Sequence, residues 1–546
     1  MFDALTPRRR TVLLSLAGIP VLLTACAQTT ETGGGGSDGG GGGAGLSVGT
    51  TDKVTALDPA AAYDNGSSTV WTQVYGYLLN TKVGSTDGVP EPDLAASAEF
   101  TSPDVYTVTL QEGLTFANGH ALTSEDVKHT FDRQLAIADP NGPSSLLANL
   151  DSVTVVDELT VEFHLKEPND QTFPYILSSP AGPIVDSEVF PADAVLPDDE
   201  IVAADAFCGP YAIASWKLNE LVSYQAFEGY KGLFGTPATP NVTMTYYADQ
   251  NNMKLDIQQG NIDCVWRSLS ATDIESLQGE DSLTVHEGPG GEIRYIVFNF
   301  DTMPHGTKTE DPDPKKAQAI RQAAADLIDR AAIASDVYKD TYTPLYSYIP
   351  DGLPGSGTQF QDMYGDGSGK PDAAKARGRL ESAGVTIPVA LSLQYNPDHY
   401  GASSGDEYAA VKAQLEADGL FTVDLQSTEW VQYSEDRTAD VYPAYQLGWF
   451  PDYSDADNYL SPFFIKDNFL VNHYDNPEVQ ALIAQQRGTE DAAEREALFV
   501  QIQDLVATDV STLPLLQGAQ IAVSTAEVQG VTLDSSFKFR LSPLAK

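Results

Sequence analysis

At 546 residues, with 42% hydrophobic and 9% aromatic content, the chain has the make-up of a globular protein large enough for two or three domains or lobes. Its 77 acidic residues against 31 basic ones give a net charge of −46, which argues against nucleic acid as a partner, because phosphate binding needs basic patches. The charge favours solubility and repulsion from anionic surfaces, and by itself identifies no ligand.

The N-terminus reads as a secretory signal: Arg8-Arg9-Arg10, an apolar run from Thr11 to Ala25, and small residues before a cut. Leu23-Thr24-Ala25-Cys26 resembles the bacterial lipobox, which implies that Cys26 receives lipid and begins the mature chain. An ordinary signal peptide with an incidental Cys26 is the alternative, and a twin-arginine export signal is a looser match. The apolar run is too short for a comfortable membrane span. Residues 31–45 hold ten glycines and bury almost nothing, so the segment reads as a flexible tether. The expected order is therefore signal peptide 1–25, tether 26–45 and a folded body held at the outer face of the cell membrane.

Within the body, Val105–Leu110 alternates and predicts a strand. Thr123-Ser124-Glu125-Asp126 opens a helix through Val127, Phe131 and Leu135. Val153–Val156 and Thr160–Leu165 form a predicted hairpin. Leu221–Phe227, Val242–Tyr247 and Tyr295–Phe300 are further strands. Lys315–Ile333 predicts one helix, with Ile320, Ala324, Leu327 and Ile328 at helical spacing. Helices at Ala373–Ala383 and Glu407–Asp418 are each followed by a strand, Val389–Gln394 and Thr422–Gln426, which suggests an α/β lobe. Pro477–Gln486 and Ala492–Ala507 are the last long helices before a strand at Leu513–Val523.

With Cys26 set aside, Cys208 and Cys264 remain as an even pair and a candidate disulfide. The seven histidines are scattered without zinc-site spacing, so no metal or cofactor is expected. No nucleophile elbow, H-E-x-x-H motif, P-loop or dinucleotide fingerprint occurs, and no carboxylate pair stands out among the many, so binding is expected rather than catalysis. Gly288-Pro289-Gly290-Gly291 lacks the Lys and Ser/Thr of a phosphate cradle and reads as a turn before the Tyr295 strand. A secreted hydrolase is the weakest alternative.

The most informative body segment is Gly448-Trp449-Phe450-Pro451-Asp452-Tyr453-Ser454-Asp455-Ala456-Asp457-Asn458-Tyr459. It is too broken for a helix or central strand. Its aromatics offer rigid apolar area, and a carboxylate offers a charge-assisted hydrogen bond to an ammonium. It resembles the G-W-x-x-D-Y signature of extracellular solute-binding proteins of the dipeptide/oligopeptide/nickel class, which serve ABC importers. Other blocks resemble that family in order: Leu57-Asp58-Pro59, Leu110 to Val127, Cys208-Gly209-Pro210-Tyr211 with Cys208 in place of threonine, Gln259 to Asp263, Phe298-Asn299, and Ile320 to Arg330.

The resemblance implies an α/β, two-lobed periplasmic-binding-protein-like (flytrap) fold with an extra subdomain in the first lobe. Lobe I would comprise 46–290 plus 515–546, with the subdomain at about 62–185, and lobe II 291–514. Asp452 holds the family position that binds a peptide's α-ammonium, with Gly448 and Trp449 beside it. Trp266 and Arg267 follow the strand that leads to the cleft in the family. Arg267 is a candidate for a ligand carboxylate or else a surface or inter-lobe ion pair. Trp430 and Tyr63 line the cleft or pack in the core. The implied partners are a peptide, an ABC permease with its ATPase subunits, and the membrane through a lipid anchor, with the protein a monomer. The alternative is a non-peptide solute, such as an oligosaccharide, an opine-like amine or a metal complex.

Overall fold

The computed structural model describes residues 45–267, 269–401 and 403–546, so the signal segment, Cys26 and the tether through residue 44 lie outside the described residues. Two large sheets organise the body. The first has seven strands in the order Leu283–Gly288, Gln520–Thr525, Cys264–Trp266, Leu46–Thr50, Asn241–Tyr246, Leu221–Ala226 and Tyr211–Lys217. Its central strand Leu46–Thr50 runs parallel to both neighbours. The second has six strands in the order Tyr342–Pro344, Thr512–Gly518, Ile293–Phe298, Ala444–Trp449, Val389–Tyr395 and Phe421–Ser427. Each sheet packs its own apolar core, around Val48, Trp71 and Tyr211 in the first lobe and Val297, Ile320 and Leu393 in the second.

A separate four-stranded antiparallel sheet, Ala95–Ser102, Val105–Leu110, Thr160–Leu165 and Leu150–Val155, forms the extra layer of the first lobe. In Val105–Leu110 the alternate residues Tyr106, Val108 and Leu110 are buried, as period-two patterning requires. The helix Ser124–Ile137 starts at a capping box between Thr123 and Asp126 and buries Phe131 edge-on against Phe163, centroids 5.0 Å apart. Asp58 of the Leu57-Asp58-Pro59 segment pairs with Arg133 of this helix, with contacts of 2.8 and 2.5 Å. Both side chains are almost wholly buried.

Two predicted elements divide. Lys315–Ile333 is two helices, Pro314–Leu327 and Arg330–Tyr338, because Ile328 turns extended and the Asp329 carboxylate accepts from the Ala332 amide to start the second. Asp favours such caps over helix interiors. Leu513–Val523 is divided at Ala519, where the chain leaves the second sheet as Thr512–Gly518 and enters the first as Gln520–Thr525. The other nearby crossing lies between Leu283–Gly288 and Ile293–Phe298, so Pro289-Gly290-Gly291 is an inter-lobe connection. The two crossings touch backbone to backbone: a Cβ on Gly290 would fall 1.2 Å from the Gly518 carbonyl oxygen.

The expected pairing of Cys208 with Cys264 is corrected: both thiols are free. The Cys208 sulfur accepts from the Gly76 amide at 3.2 Å in the core of the extra layer. Cys264 lies in the seven-stranded sheet, opposite Val48 on one side and Ser524 on the other. Burial pushes the Cys264 thiol up to about 12 and Cys208 higher still, so both stay protonated and unreactive.

Candidate functional site

A cavity of about 550 Å³ opens between the lobes at their crossings, with Gly290, Gly291, Gly518 and Ala519 in its wall. The first lobe contributes Asp52, Trp266, Arg267 and Phe537. The second contributes Glu292, Arg294, His399, Tyr400, Phe450 and Pro451. Each lobe thus places one arginine on the wall, between aromatic faces, with one carboxylate from the first lobe, Asp52, and two from the second, Glu292 and Asp398.

Trp266 ends the strand Cys264–Trp266 and stacks on Phe539, centroids 4.7 Å apart, which fixes its ring in the wall. Arg267 follows at φ +59°, a left-handed conformation uncommon for a residue with a Cβ. Its guanidinium lies 5.1 Å from the Phe450 ring centroid of the other lobe, and its Nε is 3.6 Å from Asp52. That ion pair is too long for a hydrogen bond, and the Asp52 Oδ2 is buried without a hydrogen-bond partner. A side pocket of about 40 Å³ shares Asn65, Trp266, Arg267 and Phe537 with the cavity and continues to Ser68, Thr69 and Lys538.

Arg294 lies in the strand Ile293–Phe298, whose six residues are all buried. Its Nη2 donates to the Tyr400 carbonyl at 2.6 Å and the Tyr342 hydroxyl at 3.1 Å, with Glu292 at 2.9 Å and Glu407 at 3.6 Å from the guanidinium. Burial pushes the Glu407 carboxyl up, and Arg294 and Tyr338 pull it back. The Arg294 Nε and Nη1 and one oxygen each of Glu292 and Glu407 remain buried without hydrogen-bond partners. Arg294 and Glu292 line the cavity, so a ligand or water there can complete their free atoms, while Glu407 stands behind them. Composition gave no sign of this cluster. The available signal was an arginine at the head of a strongly β-prone run, where a charge needs a reason.

The other predicted residues stand behind the wall. Gly448 lets Tyr400 approach: a Cβ there would come 2.8 Å from the Tyr400 ring. The Trp449 indole donates to Asn458 at 2.9 Å and its ring packs on Phe463 and Phe469. Trp430 stacks on His399 at 3.8 Å and meets Tyr400 edge-on at 5.6 Å, steadying two wall residues.

Asp452 is half-buried, and Phe450 and Pro451 rather than Asp452 line the cavity. Its Oδ2 accepts from Asn458 at 2.9 Å, and its Oδ1 accepts from the hydroxyl of Tyr63, which precedes the helix Asn65–Val74 in the first lobe. Burial raises the Asp452 carboxyl above its ordinary range, and the Asn458 and Tyr63 hydrogen bonds oppose that rise. The Tyr63–Asp452 bond bridges the lobes, as does the Ser454 hydroxyl donating to the Ser535 carbonyl at 2.5 Å. Tyr63→Phe is therefore expected to favour lobe separation by about 1 kcal/mol. By calorimetric titration it should weaken ligand binding about fivefold with little change in melting temperature. Unchanged affinity would show that the bond does not bear on closure.

Among the described residues, Asp301, Asp440 and His473 come within metal-ligand spacing of one another. Lys308 already reaches Asp301 at 2.8 Å and Asp440 at 3.1 Å. Although burial opposes it, hydrogen bonds from Asn299, His473 and Lys308 bring the Asp440 carboxyl down to about 2. The group is an ion-pair cluster remote from the cavity wall. Among the described residues no helix is long and apolar enough to cross a membrane.

The chain is 26% identical over 522 residues to the glutathione-binding protein GsiB of Pectobacterium atrosepticum, covering 92% of this chain and 94% of that protein. The ABC transporter substrate binding protein CtaP of Listeria monocytogenes superposes with a TM-score of 0.76 at 23% identity, covering 92% of this chain and 99% of that one. The periplasmic binding protein DppA of Helicobacter pylori, in complex with the peptide STSA, does so with a TM-score of 0.72 at 18% identity, covering 92% and 98%. Residues 89–470 match the model of bacterial extracellular solute-binding proteins, family 5. With its two lobes, the cavity at their crossing and this match over most of its length, the chain belongs to family 5 of the bacterial extracellular solute-binding proteins.

Proposed function

We propose that this protein is the lipid-anchored substrate-binding component of an ABC importer, and that its ligand is a short peptide caught between the lobes and handed to the permease. The observation that carries this reading is the cavity of about 550 Å³, walled by both lobes with charges of both signs and with aromatic faces. That volume lies within the range of about 300–1,000 Å³ found for sites that enclose small molecules. A peptide brings an ammonium, a carboxylate and apolar side chains, and each has a complement here. Only a ligand that touches both lobes holds them together, so closure reports occupancy to the permease.

In this reading the ligand's α-ammonium reaches Asp452 behind Phe450 and Pro451 and joins the Tyr63 hydroxyl on its carboxylate. No cation compensates this carboxylate among its hydrogen-bond partners, so an ammonium there adds a charged donor to two neutral ones. Arg267 faces the ligand's anionic part. The lipid on Cys26 and the glycine-rich tether would keep the body within reach of its permease.

Thermal unfolding with pools of di- to hexapeptides tests the ligand class. Ligand at 100 times its Kd adds about 2.7 kcal/mol to stability and raises the melting temperature. The absence of a shift with every pool would overturn the peptide reading. It would favour a non-peptide solute, which native mass spectrometry of the purified protein would then identify.

A further inference from the structure

The second-lobe side of the cavity holds a charge pair whose hydrogen bonding is incomplete on both members. Arg294 is 4% exposed and lies among the rings of Tyr338, Tyr342 and Tyr400, whose centroids are 5.5, 5.1 and 5.6 Å from its guanidinium carbon. Its Nη2 has two protons, and the Tyr400 carbonyl and the Tyr342 hydroxyl take both. None remains for Glu292, whose Oε1 is 2.9 Å from Nη2 and still lacks a hydrogen bond. Nε and Nη1 are also without an acceptor, because Glu407 is 3.6 Å away and accepts from the Tyr338 hydroxyl instead. Asp398, on the same wall, already accepts from the Asn396 side chain and from the amides of His399 and Trp430.

We propose that Arg294 and Glu292 form a side-chain subsite for a neutral carboxamide, so that the preferred ligand is a peptide carrying glutamine or asparagine. The inference rests on the peptide reading and deepens it by naming a side chain. The carboxamide oxygen accepts from Arg294 and the carboxamide nitrogen donates to Glu292, so each incomplete partner gains a charge-assisted bond. A peptide bond has the same groups but carries chain on both sides. The pair is recessed among three rings, where only the tip of a side chain enters. Ala271 and Ile274 lie on the first-lobe helix Ala271–Leu277, which comes up against the helix Arg330–Tyr338, and they give the cavity apolar surface for the side chain's methylenes.

The opposite charges set the selectivity. A carboxylate side chain suits Arg294 but meets Glu292, and an ammonium suits Glu292 but meets Arg294. Either like-charge contact falls in a space with little water to screen it. An apolar side chain of the same size displaces water and leaves both members unpaired. A neutral group with a donor and an acceptor avoids both costs, and a carboxamide offers the two on separate atoms. Sites built around buried polar groups reject analogues that lack the matching groups far more strongly than apolar pockets sort by size. Glu407, enclosed behind Arg294, is not part of the cavity wall and meets no ligand.

The test is calorimetric titration of alanine peptides of a binding length, with glutamine, methionine, glutamate or lysine placed at each position in turn. At one position the glutamine peptide should bind about tenfold or more tightly than the other three. Glu292→Gln removes the like charge and should bring the glutamate peptide to within about threefold of the glutamine peptide at that position. Peptide binding with no preference for glutamine at any position overturns the subsite and leaves the peptide reading standing. Undiminished rejection of glutamate by Glu292→Gln also overturns it. If no peptide binds, the peptide reading fails, and propionamide becomes the probe, read at the side-chain resonances of protein labelled with ¹⁵N-arginine. A saturable shift of the resonance missing in Arg294→Lys, produced by neither propionate nor propylammonium, supports the subsite; no shift, or an equal one with either ion, overturns it.

Discussion

Gly290→Ala should be among the most damaging single substitutions in the body. The added methyl would lie 1.2 Å from the Gly518 carbonyl oxygen and 2.4 Å from its carbonyl carbon, so no rotamer change relieves the overlap. Both atoms belong to the other inter-lobe crossing, and that crossing is fastened in place. The Gln517 side-chain amide donates to the Gly290 carbonyl at 2.7 Å, and the Gly518 backbone amide donates to the Glu292 carbonyl at 2.9 Å. Relief requires the two chains to separate, breaking these bonds and reshaping the cavity between the lobes. A cost of about 3 kcal/mol or more is expected from such overpacking, with loss of soluble protein or a large drop in denaturation midpoint. The contrast is Gly378→Ala, in the exposed middle of the helix Ala373–Ser382, where nothing lies within 4 Å of the new methyl. That change should stabilise by about 0.5–1 kcal/mol through helix propensity. A Gly290→Ala protein as stable as the parent would show that the crossings need not touch.

What could be read from sequence tracks the range of the interactions involved. The strand Val105–Leu110 and the helix opening at Thr123-Asp126 depend on residues within a few positions of each other, and the structure has both. The single helix expected at Lys315–Ile333 fails at Asp329, where a local cap outcompetes an apolar spacing that continues past it. Ala519 carries no turn signal, because the break there is imposed by two sheets that compete for one chain. The site follows the same logic. Trp266 and Arg267 fall on the cavity wall, and Gly448, Trp449 and Trp430 on its support. Tyr63 and Asp452 meet across 389 positions, and Arg294 collects Glu407 and Tyr400 across more than 100. No spacing rule reaches that far. The same limit applies to Cys208 and Cys264: an even count permits a bond, and only the fold keeps the two thiols in different cores.

Asp58→Ala should cost about 3–5 kcal/mol, although Asp58 is not part of the cavity wall. The Asp58 carboxylate is completely buried and accepts from both terminal nitrogens of Arg133, from the Leu196 amide at 2.8 Å and from the Ala60 amide at 3.0 Å. It therefore ties the N-terminal segment to the helix Ser124–Ile137 and to the loop before Asp198. Alanine would leave the guanidinium buried, with the Pro191 and Ala194 carbonyls as acceptors and the Phe190 ring beside it, but with no counter-charge. The penalty is mostly that stranded charge, so it should depend on Arg133. Combining Asp58→Ala with Arg133→Met should recover a large part of the loss, a coupling that a double-mutant cycle by urea denaturation measures. Burial also shields the pair from mobile ions, so the single-mutant cost should be nearly the same at about 0.05 M and 0.5 M salt. A surface ion pair would be worth less than about 1 kcal/mol and would fade with salt. Additive losses in the double mutant would mean that Asp58 acts through its amide contacts alone. Recovery would assign the Leu57-Asp58-Pro59 segment the role of neutralising a buried arginine that holds the extra layer to the first lobe.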